Sequence, residues 1–540
     1  MELCDKYIHD YILLNPTLND FLKLEKYNHL RSKYPNFLSK EYDKKEEKLN
    51  QKYLKLLEKK KDKTFYDQLF YDDLKEYLKE VDFPSEYFPL SYLDNYFTSI
   101  ITDINSKDSQ YKFTDVKSYQ DYISRLKKTK IICKTMIENM REGLKKKKDN
   151  TTIPKIIVRG IIKQLQDLIL ENTYENKFNH FRKIPPTIQK EFLETIENYV
   201  IACTKIMIKF LIEEYVDHCR NTIGLYDIKG GKTLYKNIVK SYLTEKYTPE
   251  SVHEIGLKEV KKNKKLLRDL QKKMKIKGDL PYFMFHMKNN KSSQLKEKKE
   301  VLSELHSIRD KIIKEVFHKY FNDTTKKDLY KIKCVPKENK HMTAYYLLPD
   351  FKNERKGTFF INALDPSKVN KHELTVLSIH EGIPGHHYEH SRHKNDTYPI
   401  YNRITPYTAY SEGWALYCEG LYKPTNNYEV FWQIIYNLHR SMRLVIDTGI
   451  HSYGWQYDKC FQYIKKLLPY SEDTIQNEIY RYICDPGQAL CYKIGELKLL
   501  ELRDKYFKSY PDNYKEFHEL IMKIGPVPLD RLEEEVNKLL

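Results

Sequence analysis

Apolar and polar positions through about the first 330 residues recur with helical spacing. Ile157, Ile161, Leu165, Leu168 and Ile169 fall on one face of a 3.6-residue repeat, and Leu54 and Leu57 sit among charges as on a long exposed helix. The punctuation agrees. Pro185-Pro186 breaks the chain before a helix predicted over 188–215, Gly230-Gly231 marks a loop, and Thr248-Pro249-Glu250 offers an N-cap followed by a first-turn proline. After about residue 330 the pattern changes. Residues 343–348 and 358–364 are short runs rich in Tyr, Phe, Ile and Leu on either side of a polar stretch, which predicts two strands. Leu374, Val376, Leu377 and Ile379 then restore a helix over about 372–383. The reading is mainly α, with a helical region over 1–330 and a second region over 331–540 acting as one unit. A small sheet is expected beside the 372–383 helix, where an edge strand could pair with an extended peptide.

Composition supports helix: only 17 glycines occur in 540 residues, too few for a turn-rich β fold. The net charge of +18 raises the question of a nucleic-acid partner. The lysines are interleaved with acids, as over 258–273, and no zinc-finger, RNA-recognition or helix-turn-helix signature accompanies them, so none is expected. The most apolar stretch, 199–215, is interrupted by Lys205 and Lys209 and is too polar to span a membrane. Nine widely spaced cysteines without a C-x-x-C pair suit a reducing compartment. With no apolar core following Met1-Glu2-Leu3-Cys4-Asp5-Lys6, the expectation is a cytoplasmic protein. Oligomeric state is not legible.

The chemistry concentrates in His380-Glu381-Gly382-Ile383-Pro384-Gly385-His386-His387. It resembles the H-E-x-x-H helix of zinc metallopeptidases, in which two histidines one turn apart hold the metal and the glutamate polarises its water. Here Pro384 occupies the second ligand's place. In a straight helix His380 and His387 would stand about 10 Å apart along the axis, too far to share one zinc. A bulge at Ile383-Pro384-Gly385 is therefore required. His386 is then the first choice for second ligand, His387 the runner-up, and His390 a surface residue.

A third ligand must come from another helix, and Glu412 in Ser411-Glu412-Gly413-Trp414 is the candidate. The alternative is an acidic first-turn residue favoured by the helix dipole. Arg443, Asp447 and His451 are spaced by four and share one helical face, either as a salt-bridged surface or with His451 facing substrate or a developing oxyanion. Tyr492 shares a face with Gln488 and is either a packing residue or an oxyanion donor.

Together these segments, with Tyr410-x-Glu412-Gly-Trp-Ala-Leu-Tyr417, Pro486-Gly-Gln-Ala-Leu-x-Tyr492-Lys-Ile-Gly495, the opening Asn15-Pro16-Thr17 and the closing Gly525-Pro526-Val527-Pro528, resemble a family known as domain of unknown function 885. The resemblance implies a mainly helical, zincin-like fold of the gluzincin type with a deep cleft. It also implies one zinc ion on His380, His386 and Glu412, with Glu381 as base. The expected activity is hydrolysis of short peptides or related amides, with His451 and Tyr492 at the oxyanion. The rival readings are a metal-dependent lyase or decarboxylase on an amino-acid-derived substrate, and a non-catalytic basic helical binding protein.

Overall fold

The structure is a computed structural model describing residues 2–79, 83, 85–105, 109–170, 184–322, 329–336, 343–350, 355–393 and 398–540. It is mainly helical, with one three-stranded sheet. The helix starts follow the sequence. Thr248 and Ser251 form a reciprocal capping box, with Pro249 in the first turn, and open α1 (Pro249–Lys273). Beyond Pro185, helix Pro186–Thr195 runs through π-helical turns to Tyr215, covering the predicted 188–215 element.

The sheet comprises β1 (Lys331–Cys334), β2 (Ala344–Leu347) and β3 (Thr358–Ile361), in the order β1-β3-β2. β2 and β3 are the two strands predicted, and they pair antiparallel with Tyr346 opposite Phe359. β1, unanticipated, runs parallel to β3. β3 is central and buried along its whole length, so its apolar run needs no alternation. Residues 351–354 of the expected turn lie outside the described residues.

Seven further helices position the chemistry: α2 (Lys298–Ile312), α3 (Glu373–Glu381), α4 (His386–Arg392), α5 (Thr408–Glu419), α6 (Asn427–His451), α7 (Glu472–Cys484) and α8 (Cys491–Ser509). Every residue of α3 from Leu374 to Glu381 is buried, because α2, α5 and α6 pack around it while β2 lies alongside. Two close crossings bring the helices together. A Cβ on Gly256 of α1 would lie 2.8 Å from side-chain atoms of Leu444 and Val445 of α6. A Cβ on Gly413 of α5 would lie 2.5 Å from the Gly495 backbone of α8. One apolar core runs from Leu69 through Val260, Leu377 and Trp414 to Val536, drawing on both halves of the chain. The cysteines are all free thiols, and among the described residues no helix is long and apolar enough to cross a membrane.

Candidate metal centre

The motif does not form one bulged helix; the chain breaks completely between α3 and α4. α3 stops at Glu381, and α4 starts at His386 after a loop with a cis Ile383–Pro384 bond. Pro384 cannot supply the next helical N–H, so the backbone finds other partners. Gly385 N–H reaches back to the Ile379 carbonyl (3.1 Å), and His387 N–H to that of Gly382 (3.1 Å). The return is so tight that a Cβ on Gly385 would sit 2.0 Å from the His380 carbonyl oxygen. The Pro384 carbonyl accepts from the Trp414 indole N–H (2.9 Å) and the Cys418 thiol (3.4 Å), fastening the loop to α5. The outcome is that the His386 ring stands 4.8 Å from that of His380, nearly perpendicular to it.

Glu412, one turn into α5, completes the group. Its Oε2 lies 3.4 Å from Nε2 of His380 and 3.4 Å from Nε2 of His386, and the three ligand atoms all fall within 4.8 Å of one another. A tetrahedral zinc ion with bonds of about 2.0–2.1 Å has ligand-to-ligand edges of about 3.3–3.4 Å, which the two edges from Glu412 match. Glu412 Oε2 is buried and makes no well-formed hydrogen bond, so only the two imidazoles at 3.4 Å, or a cation held among them, can satisfy it among the described residues. The donor set, two imidazoles and one carboxylate, suits zinc.

Behind these side chains lies a supporting layer. His380 Nδ1 is 2.8 Å from Glu419 Oε1, which also accepts from Arg440 (3.3 Å). With Nδ1 engaged as donor, Nε2 is left as a lone-pair ligand facing Glu412. His386 Nδ1 points toward Glu389 Oε2 at 3.9 Å, and Glu389 takes a hydrogen bond from Ser411 (2.5 Å). Burial would raise the Glu389 carboxyl, but His390, His386 and His393 around it lower its pKa to about 2. Glu412 follows the same logic: burial works against its charge, yet His380 and His386 hold it well below the usual range. Burial also opposes charge on the two imidazoles, and the surrounding carboxylates overcome it, raising both. Glu381, buried beside them, has its pKa raised by burial, against the pull of His380 and His386.

His387 turns the other way. Its Nδ1 meets the Tyr346 hydroxyl of β2 at 2.8 Å, and its ring packs on Tyr330. His390 lies with His386 and Glu389 in a second possible ligand group while its side chain stays partly exposed. Tyr492 reaches the site: its ring lies parallel to that of His380, with centroids 6.4 Å apart. Its hydroxyl accepts from Arg481 (2.8 Å), and the Arg443 guanidinium covers its ring at 4.4 Å.

His451 does not join them. Its Nδ1 accepts from Leu225 N–H (3.1 Å) and its Nε2 donates to the Tyr482 carbonyl (2.8 Å). Both ring nitrogens are spent on backbone, leaving none for an oxyanion. Asp447, one turn earlier, is likewise structural, taking hydrogen bonds from the Tyr235 hydroxyl (2.6 Å) and Gly487 N–H (3.1 Å). Arg443, Asp447 and His451 do share a face of α6, but that face is buried rather than a salt-bridged surface. Glu389, Glu419, Arg440 and Arg481 were not anticipated. Of these, Glu389 alone had a local signal, its three-residue spacing from His386.

Comparison with known proteins covers almost the whole chain. The model of the family described as bacterial protein of unknown function (DUF885) matches residues 16–536. A crystal structure of a protein from Colwellia psychrerythraea, provisionally described as a lipoprotein, superposes with a TM-score of 0.89 at 23% identity, over 99% of this chain and 98% of that one. A protein of unknown function from Shewanella oneidensis, also provisionally described as a lipoprotein, gives a TM-score of 0.74 at 15% identity over the same shares. At these identities the likeness concerns the fold. No curated protein matches the chain in sequence.

Proposed function

This chain belongs to the DUF885 family, and we propose that it is a zinc-dependent hydrolase of short peptides or related amides. One observation carries the reading: the buried Glu412 Oε2 stands one tetrahedral zinc edge, 3.4 Å, from Nε2 of both His380 and His386, and the three ligand atoms lie within 4.8 Å of one another. Bound there, zinc would acidify a coordinated water and polarise a substrate carbonyl.

The chain's own residues supply the rest. Glu419 and Arg440 hold the His380 imidazole in register, and Glu389 lies behind His386. Glu381 is the general base. Next to His380 in sequence and buried, it would take the water proton and pass it to the leaving amine. Tyr492 accepts from Arg481, so its own O–H remains to donate to the oxyanion growing on the scissile carbonyl. In this reading the fold is zincin-like, of the gluzincin type. The helices of residues 1–330 form the far wall of a deep cleft suited to short substrates. Metal analysis combined with hydrolysis of a broad peptide library by wild type and Glu381→Gln tests it. The expected result is zinc in both proteins and hydrolysis by wild type alone; zinc without any hydrolysis would count against it.

A further inference from the structure

Three arginines crowd the helices beside the candidate metal centre, and two of them have carboxylate partners. Arg440 pairs with Glu419 at 3.3 Å, and Arg443 with Glu478 at 3.3 Å. Arg481 of α7 does not. Its Nη2 donates to two neutral oxygens, Gln488 Oε1 (3.0 Å) and the Tyr492 hydroxyl (2.8 Å), and among the described residues no carboxylate lies within ion-pairing distance of it. Glu478, three residues earlier on the same helix, is held instead by Arg443, His439 and the Tyr482 hydroxyl. Arg481 as a whole residue is half-buried. Its direct hydrogen-bond partners are neutral, Glu478 and Glu412 act on its charge only from beyond ion-pairing distance, and the planar guanidinium matches a carboxylate through two parallel N–H bonds.

Its position gives that anion a role. Tyr492 neighbours both Arg481 and His380. The Arg481 guanidinium carbon is 5.8 Å from the Tyr492 ring centroid, which is 6.4 Å from that of His380. These two legs put the guanidinium within about 12 Å of the His380 ring, a reach of about three extended residues at most. We propose that Arg481, with Gln488 beside it, anchors a carboxylate of the substrate while the bond to be cleaved lies over His380, His386 and Glu412. A chain's free C-terminus in that place makes the protein an exopeptidase acting close to the carboxyl end. An acidic side chain in that place makes it selective for Asp or Glu near the scissile bond. The inference rests on the hydrolase reading for the cleavage, but the anchoring itself is a binding property.

The experiment keeps the two apart. Apolar tripeptides are prepared as free acids and as C-terminal amides, and a second pair of free acid and amide carries a Glu side chain. Calorimetric binding is measured to Glu381→Gln and to the double variant Glu381→Gln/Arg481→Met; wild type and Arg481→Met are assayed for hydrolysis. Thermal unfolding and zinc content check that the substitution leaves the fold intact, and Arg481→Lys serves as the conservative control. The expected result is that free acids bind at least tenfold more tightly than amides, that Arg481→Met abolishes this preference, and that Lys restores part of it. In turnover KM for the free acids rises relative to that for the amides, while any fall in kcat from freeing the Tyr492 hydroxyl is shared by acids and amides. Tight binding of the Glu-bearing amide, lost in Arg481→Met, would assign the anchor to a side-chain carboxylate. Equally weak binding of the apolar acid, the apolar amide and the Glu-bearing amide, no binding of any of these peptides, or a preference that survives Arg481→Met would overturn the proposal. Absence of hydrolysis with the binding preference intact would instead fail the hydrolase reading alone.

Discussion

Nδ1 of His380 lies 2.8 Å from Oε1 of Glu419, a residue on a different helix, and Arg440 donates to that same oxygen at 3.3 Å. The pair fixes which imidazole nitrogen faces Glu412. Outer hydrogen bonds of this kind usually tune metal affinity by about 10–100-fold. Glu419→Gln is therefore expected to weaken zinc binding by about that factor while leaving the ligand set unchanged. Competition titration with a chromogenic chelator measures it.

His451 is assigned a structural duty, and its substitution separates that duty from chemistry. His451→Ala leaves the Leu225 N–H and the Tyr482 carbonyl without their partner in a buried setting. The expected loss is about 2–4 kcal/mol of stability, read by denaturant unfolding, with zinc content unchanged. A variant of full stability that has lost turnover would return His451 to the reaction.

Stability should also carry opposite signatures from Asp447 and His451. Burial pushes the Asp447 carboxyl up to about 7. The folded state then holds this proton over a range where the unfolded chain has released it. Stability from this group falls as pH rises from about 4 to about 7. Burial lowers His451 to about 4. The unfolded chain then binds the extra proton, and stability falls as pH drops from about 6.5 to about 4. Relative to wild type, Asp447→Asn should therefore gain stability steadily between pH 4 and pH 7, which thermal melts across that range would check. A difference independent of pH would show that Asp447 is ionised in the fold.

The crossing of α5 and α8 makes a prediction of its own. Gly495 faces the Ala409 carbonyl so closely that an added Cβ would stand 2.1 Å from it, and would also meet the Gly413 backbone at 2.7 Å. Gly495→Ala must push the helices apart, at a cost of about 1–3 kcal/mol or more. Because Glu412 and Tyr492 flank this crossing, zinc affinity should fall along with the melting temperature. A variant that melts early but binds zinc normally would show that the site tolerates the shift.

The limits of the sequence follow from the reach of each signal. His380 and Glu381 were legible because their chemistry sits in one short string, and Glu412 because an apolar stripe follows it, although its helix starts at Thr408 and not at Ser411 as its segment suggested. β2 and β3 announced themselves as aromatic runs, whereas β1, Lys-Ile-Lys-Cys, is too short and too charged to stand out. Pro384 signalled distortion but not its extent. Whether a helix bulges or breaks depends on partners elsewhere in the chain, here Trp414 and Cys418 holding the Pro384 carbonyl. The helical register of Arg443, Asp447 and His451 was read correctly. Their burial was not, since it depends on what α6 packs against. Glu419 and Arg481 gave no local sign because their roles arise only from tertiary packing.

The zinc content of His386→Ala set beside that of His387→Ala tests the central claim most directly. The two residues are adjacent in sequence, but one ring faces Glu412 and the other the Tyr346 hydroxyl. Elemental analysis of the purified proteins should find one zinc per chain in wild type and in His387→Ala, and little or none in His386→Ala. Zinc retained by His386→Ala and lost from His387→Ala would contradict the account.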